Sequence, residues 1–181
     1  MRNTLLDRLL KFIRERKAIS LISKNSIVLD IGCGEGHFLK KIENKISKAY
    51  GIDPKAELFH NKKINLIKGD IEHLEFNIPK SDFITLLAVL EHFKNPELAL
   101  ANSFSLLKRG GKIILTTPAK KGRWVLEFLA WIRLIDEHEI KDHQKYFTKS
   151  EIERLLKSSG FKNIKVKSFE LGYNLLITAE K

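Results

Sequence analysis

Ile27-Val28-Leu29-Asp30-Ile31-Gly32-Cys33-Gly34-Glu35-Gly36-His37-Phe38 is the stretch on which the fold turns. A β-branched, apolar run reaches an aspartate and then opens into glycines at alternate positions, Gly32, Gly34 and Gly36. A buried strand followed by a glycine loop and a helix is how a doubly wound α/β fold receives a nucleotide-like ligand. The spacing narrows the ligand. A dinucleotide site reads G-x-G-x-x-G and aims a helix end at a pyrophosphate. Here the pattern is G-x-G-x-G, with Asp30 two residues before the first glycine. A carboxylate at the strand end repels a pyrophosphate and suits a ligand with a positive end.

On both sides of this loop the chain punctuates itself as an α/β sequence. Leu5 to about Ser23 reads as a helix, with Leu5, Leu6, Leu9, Leu10 and Ile13 on one stripe and Arg8, Lys11, Arg14 and Glu15 facing away, so it is expected to pack on the main body. Strands are expected at 26–31, 48–53, 64–68, 83–87 and 112–117, and helices at about 36–46 and 96–107, the latter stopped by Lys108-Arg109-Gly110-Gly111. A last helix at 150–158 has Thr148 as its cap and Glu151 closing a capping box. Two further strands, 162–169 and 173–179, follow with no helix between them and should pair antiparallel. Helices between the first five strands put helices on both faces of a mostly parallel, seven-stranded sheet.

Length and composition agree. A chain of 181 residues with 43% hydrophobic residues suits one globular domain. One cysteine, Cys33, leaves no intrachain disulfide and no metal-ligand spacing, and a cytoplasmic setting is the simplest expectation. The first residues mix charges into their apolar run, unlike a signal peptide, and no apolar run approaches the roughly 20 residues of a membrane span. The formal charge of +11 admits nucleic acid or an anionic surface as partner. The lysines are scattered, without an arginine-rich tract or interleaved aromatics, which favours a solvated lysine-rich surface.

Val28-Leu29-Asp30-Ile31-Gly32-Cys33-Gly34-Glu35-Gly36 resembles motif I of the class I S-adenosylmethionine-dependent methyltransferases, and the resemblance extends from about Ser26 to the end of the chain. It implies a sheet in the order 3-2-1-4-5-7-6 with the last strand antiparallel. It implies S-adenosyl-L-methionine as cofactor, leaving as S-adenosyl-L-homocysteine, with the loop of Gly32, Cys33, Gly34 and Gly36 cradling the methionine part and Asp30 near its ammonium. Asp53, 21 positions beyond Gly32, is placed to accept from both ribose hydroxyls, or to cap the turn at Pro54, or both. In Gly69-Asp70-Ile71-Glu72 the resemblance places Asp70 at the adenine amino group and Ile71 against the ring, with a capping role open for Asp70. Leu87-Ala88-Val89-Leu90-Glu91-His92 resembles motif IV of the small-molecule, type 11-like branch, with Ala88 backbone along the methionine part and His92 at the mouth of the transfer site. His143, before the last helix, is the second candidate base; a packed, hydrogen-bonded role stays open for either histidine. No Asn/Asp-Pro-Pro-Tyr/Phe or Pro-Cys follows the fourth strand, unlike base-amine and pyrimidine-ring methylases.

The segment 120–143 is this chain's own. Trp124, Phe128, Trp131 and their apolar neighbours read as a lid over an apolar acceptor, a homodimer interface, or an interfacial membrane helix. The sequence thus points to methyl transfer, by in-line displacement, to a small or lipid-like acceptor. The alternatives are an RNA methyltransferase, motivated by the charge, and a catalytically silent cofactor-binding interaction module. A nicotinamide dehydrogenase is disfavoured by the glycine spacing.

Overall fold

A computed structural model describes residues 4–73, 77–122 and 145–181. Its helices are α1 (Leu5–Leu21), α2 (His37–Ile42), α3 (Pro96–Leu106) and α4 (Lys149–Ser158). Its strands are β1 (Ile27–Ile31), β2 (Lys48–Asp53), β3 (Phe59–His60), β4 (Ile64–Lys68), β5 (Ser81–Leu87), β6 (Leu107–Pro118), β7 (Lys162–Phe169) and β8 (Asn174–Glu180). They form one sheet in the order β3-β4-β2-β1-β5-β6-β8-β7. β1 lies between β2 and β5, parallel to both, with Asp30 opposite Gly51 on one side and Thr85 on the other. The chain winds outward from β1 and then crosses to β5, so the switch point of the winding falls between these two strands.

The expected sheet is present, with its last strand antiparallel to both neighbours. It gains an eighth strand at the edge: Phe59 and His60 pair antiparallel with Leu66 and Asn65. Two residues carry no alternation to read, so this strand has no signature in the sequence. β6 also starts earlier than expected. Leu107 pairs with Ser81, and Gly110 and Gly111 exchange backbone hydrogen bonds with Lys181, so the glycines that stop α3 already belong to the sheet. The capping box at Thr148 and Glu151 forms as expected.

Residues alternate between the faces of the sheet. Leu29, Ile31 and Leu86 point to the side covered by α3 and α4, through Leu100, Ile152 and Leu156. Val28, Ala49 and Phe83 point to the other side, covered by α2 through Phe38, Leu39 and Ile42 and by α1 through Ala18 and Ile22. Asp30 and Thr85 follow the second parity, on the side of the two N-terminal helices.

α1 does not present the expected stripe. Leu5 is 83% exposed and Leu9 52%, whereas Glu15, assigned to the outer face, is 3% exposed. The helix carries apolar residues on opposing faces, so its period does not choose between them. Contacts at its C-terminal half choose: Ala18 and Ile22 enter the core, the Glu15 carboxylate accepts from Lys41 Nζ at 2.5 Å, and Lys45 Nζ donates to the Ile19 carbonyl at 2.5 Å.

Candidate active site

The strand ends converge on a cavity of about 940 Å³ that Asp30, Gly32, Cys33, Asp53, Asp70, Ala88 and His92 all line. Each comes from the carboxyl end of β1, β2, β4 or β5, where an open parallel sheet receives its ligand. Gly34, Gly36 and Ile71 do not line the cavity. Ile71 is packed in the core, and its neighbour Glu72 takes the place on the surface of the cavity. His143 lies outside the described residues, as does all but the start of the segment 120–143.

The three glycines of the loop do different work. All have positive φ, which L residues with a side chain rarely adopt. A Cβ on Gly32 would meet the Val89 side chain at 2.4 Å, so Gly32 makes room for the β5 turn. A Cβ on Gly36 would meet Leu66 at 2.8 Å, so Gly36 makes room for β4. A Cβ on Gly34 would meet nothing within 4 Å. Only at Gly34 does the open space correspond to where a ligand could approach the backbone.

Asp30 is buried, and its carboxylate accepts from the Thr85 hydroxyl at 2.6 Å. Burial pushes its pKa up to about 7, against the opposing effect of that hydrogen bond; Glu15 and Asp53 push the same way as burial. The carboxyl is therefore poised between neutral and charged near pH 7, and a cation placed beside it would draw it into the charged form. Burial likewise raises the Cys33 thiol, beside Asp30 and Asp53, leaving an inert small side chain.

Asp53 realises the capping role and leaves room for another. Its Oδ2 accepts from the Gly34 N–H at 3.0 Å and its Oδ1 from the Lys55 N–H at 2.7 Å. Each carboxylate oxygen has a further lone pair to offer. Asp70 similarly accepts from the Glu72 N–H at 2.9 Å, closing its own turn while lining the cavity. Ala88 sits at φ 58°, a conformation unfavourable for alanine, and is held there by its N–H bonding the Thr116 carbonyl and hydroxyl at 3.0 and 3.1 Å.

Several site residues escaped the sequence reading. Glu91 is 0% exposed and lines the cavity. Its pKa is raised by burial, with His92, Thr117 and Arg14 pulling it back. Its place beside His92 in Leu90-Glu91-His92 was the available signal. α1 supplies Asp7, Leu10, Lys11, Arg14 and Glu15 to the wall, which the misread stripe concealed. Among the described residues no group of histidine, cysteine and acidic side chains is arranged to hold a metal ion.

A glycine loop at the switch point, an acid beneath it and acids at the next two strand ends are the arrangement of a class I S-adenosylmethionine-dependent methyltransferase. A family model described as a methyltransferase domain matches residues 2–166, and the chain belongs to this methyltransferase family, in its type 11-like branch. It is 36% identical over 104 residues to a tRNA U34 carboxymethyltransferase of Sulfurovum sp. (strain NBC37-1), covering 52% of this chain and 35% of that one. It is 32% identical over 117 residues to a ubiquinone biosynthesis O-methyltransferase of Coxiella burnetii, covering 60% of this chain and 48% of that one. The chain thus spans between a third and a half of the length of these relatives. The fold also matches the methyltransferase chain in a complex with the Haloferax volcanii Trm112 activator, with a TM-score of 0.78, 14% identity and coverage of 96% of this chain and 90% of that one.

Proposed function

We propose that this chain binds S-adenosyl-L-methionine in the cavity and transfers its methyl group to a small or lipid-like acceptor, acting as one methyltransferase domain. The observation that carries the reading is the convergence of the Asp30 carboxyl, the Gly32-Cys33 backbone and the spare lone pairs of Asp53 on one cavity, with open space over the neighbouring Gly34. A buried, half-charged carboxyl suits the ammonium of the cofactor. Asp53 suits a vicinal diol, and Asp70 suits an exocyclic amine. When bound, the cofactor supplies a methyl already made electrophilic by its sulfonium.

The chain's own residues then need to align the acceptor and exclude water, which in model systems is worth about 7–11 kcal/mol. Leu10, Leu87, Val89, Phe93, Leu98 and Pro118 contribute apolar surface to a wall that also carries Lys11, Arg14 and Lys94, and this apolar share supports an acceptor with apolar surface. His92 stands in the same wall as the group to hold a proton released by the acceptor, with His143 as the second candidate.

Calorimetry should show S-adenosylmethionine and S-adenosylhomocysteine binding to the wild type. Asp53→Ala should weaken both by roughly 1.5–3 kcal/mol. Binding of neither, with tight binding of NAD, overturns the reading. Labelled methyl from the cofactor should enter the lipid or small-molecule fraction of an extract. His92→Ala or His143→Ala should lower turnover about 10²–10⁴-fold with cofactor affinity unchanged, if that histidine is the base.

A second reading, an RNA acceptor, draws support from the charge of +11 and from the tRNA-directed relative. It requires the label to appear in RNA and affinity for structured RNA to fall steeply with salt.

A further inference from the structure

The outer pole of α1 is apolar where a soluble helix is normally charged. Leu5, Leu9 and Phe12, spaced i, i+4 and i+7, share the face directed away from the sheet, and Leu9 and Phe12 are each 52% exposed. The same helix carries Arg8, Lys11, Arg14, Arg16 and Lys17 against Asp7 and Glu15. Between α1 and α2 runs a groove of about 620 Å³ lined by Arg8, Lys11, Phe12, His37, Lys40 and Lys41, with no carboxylate in its wall. Two of its bases are occupied, Lys41 by Glu15 and His37 by Glu35. Lys40 donates to the Glu35 carbonyl and lies 5.0 Å from the Phe59 ring centre. Arg8 and Lys11 have no carboxylate partner among the described residues.

We infer that this face of α1, with the groove beside it, docks the protein on an anionic phospholipid surface. Apolar side chains at the helix pole enter the boundary between headgroups and acyl chains, and the flanking cations meet lipid phosphates, which is the division of labour of an interfacial helix. Phosphate alone does not account for the surface, because Leu5 and Leu9 gain nothing from a polyanion. A second copy of the chain does not account for it either, since two such faces would oppose their cations. α1 also forms one wall of the cavity through Leu10, Lys11 and Arg14, so docking sets the cavity beside the bilayer. The docking itself does not depend on the acceptor or on catalysis. Only the delivery of a lipid-like acceptor rests on the function proposed above.

The test is flotation of the full chain with phosphatidylcholine vesicles, with and without phosphatidylglycerol, in the absence of cofactor and acceptor. The wild type should float with the anionic vesicles and not with the neutral ones. Leu9→Ser/Phe12→Ser should lose at least about tenfold in partition. Arg8→Glu/Lys40→Glu should lose roughly fivefold or more per cation, and Lys165→Glu/Lys167→Glu, matched in charge but on β7, should float like wild type. Unchanged melting temperatures keep the first two variants interpretable, because the substituted side chains lie outside the core. The proposal is overturned by absence of wild-type flotation, by flotation that survives Leu9→Ser/Phe12→Ser, or by equal loss in the β7 variant, which reduces the effect to net charge. It is also overturned if the apolar variant abolishes a lipid-free dimer, or if structured RNA is bound through Arg8 and Lys40 while vesicles are ignored.

Discussion

The β1–α2 loop and α1 face each other across the same cavity, and both place a carboxylate out of water. Just before the loop, at the end of β1, Asp30 is fixed by strand parity, and its hydroxyl partner Thr85 stands directly across the β1–β5 register. In α1, Glu15 is buried because two residues at the far end of the helix, Ala18 and Ile22, find the core and rotate the rest with them. A strand in the middle of a sheet has its two faces assigned by hydrogen bonding on both sides. A helix on the flank is assigned only by what it touches, and a helix with apolar residues all round can be turned by a small contact. The loop's chemistry follows from its own residues, whereas that of α1 depends on contacts made a turn or more away.

That contrast can be broken first at the glycines. Gly32→Ala should cost about 2–5 kcal/mol of stability, from the strained φ together with the clash against Val89. Gly34→Ala, with the strain but no clash, should cost about 1–2 kcal/mol and leave a folded protein that binds the cofactor poorly. Denaturant melts and calorimetry on the two variants check this. Equal loss of stability would mean that the loop packs uniformly and that Gly34 has no ligand beside it.

Asp30 gives the next largest effect. Its carboxyl is raised by burial from 3.8 to about 7, so the folded protein holds a proton that the unfolded chain has released. Stability from this group therefore falls as pH rises from about 4 to about 7 and levels off above, a span of order a few kcal/mol. Asp30→Asn should remove that slope. A ligand ammonium stabilises the charged form, so cofactor affinity in the wild type should fall towards tenfold per pH unit below about 7, and this dependence should vanish in Asp30→Asn. Calorimetry on either side of neutrality reads it. An affinity indifferent to pH would move the ammonium away from Asp30.

On the other side, the smallest effect is set against a large one on the same helix. Leu5→Ser and Leu9→Ser should change stability by less than about 0.5 kcal/mol, because both side chains already lie in water. Ala18→Asp, three residues from the buried Glu15 and itself in the core, should cost several kcal/mol by burying an unpaired charge. Chemical melts of the three variants would show whether α1 is anchored at one end only.

The legibility of the sequence follows the same division. The winding of the sheet, the cap at Thr148 and the strand ends bearing Asp30, Asp53 and Asp70 could be read because glycine, proline and acidic residues punctuate buried runs. The edge strand at Phe59 could not be read, since two residues show no period. Ile71 was placed against a ligand and lies in the core, because the parity of a turn is not fixed by the strand before it. Glu91 went unremarked beside His92, since one turn of helix conceals which of three residues points inward. The different jobs of Gly32, Gly34 and Gly36 depend on Val89 and Leu66, which lie far away in the chain.

Glu72 is part of the wall and is also a fastening. Its carboxylate accepts from the N–H groups of Lys94 and Asn95, at 3.3 and 2.5 Å, at the threshold of α3, and Asn102 within α3 donates to the Ile71 carbonyl at 2.7 Å. The β4 turn and α3 are thus cross-braced at two points a helical turn or more apart. On the opposite side, α1 is tied to the body in its C-terminal half, through Glu15 to Lys41 and through Ala18 and Ile22 in the core. The cavity is thus framed like a doorway, one jamb pinned at two points along α3 and the other fastened to the body by the far half of α1.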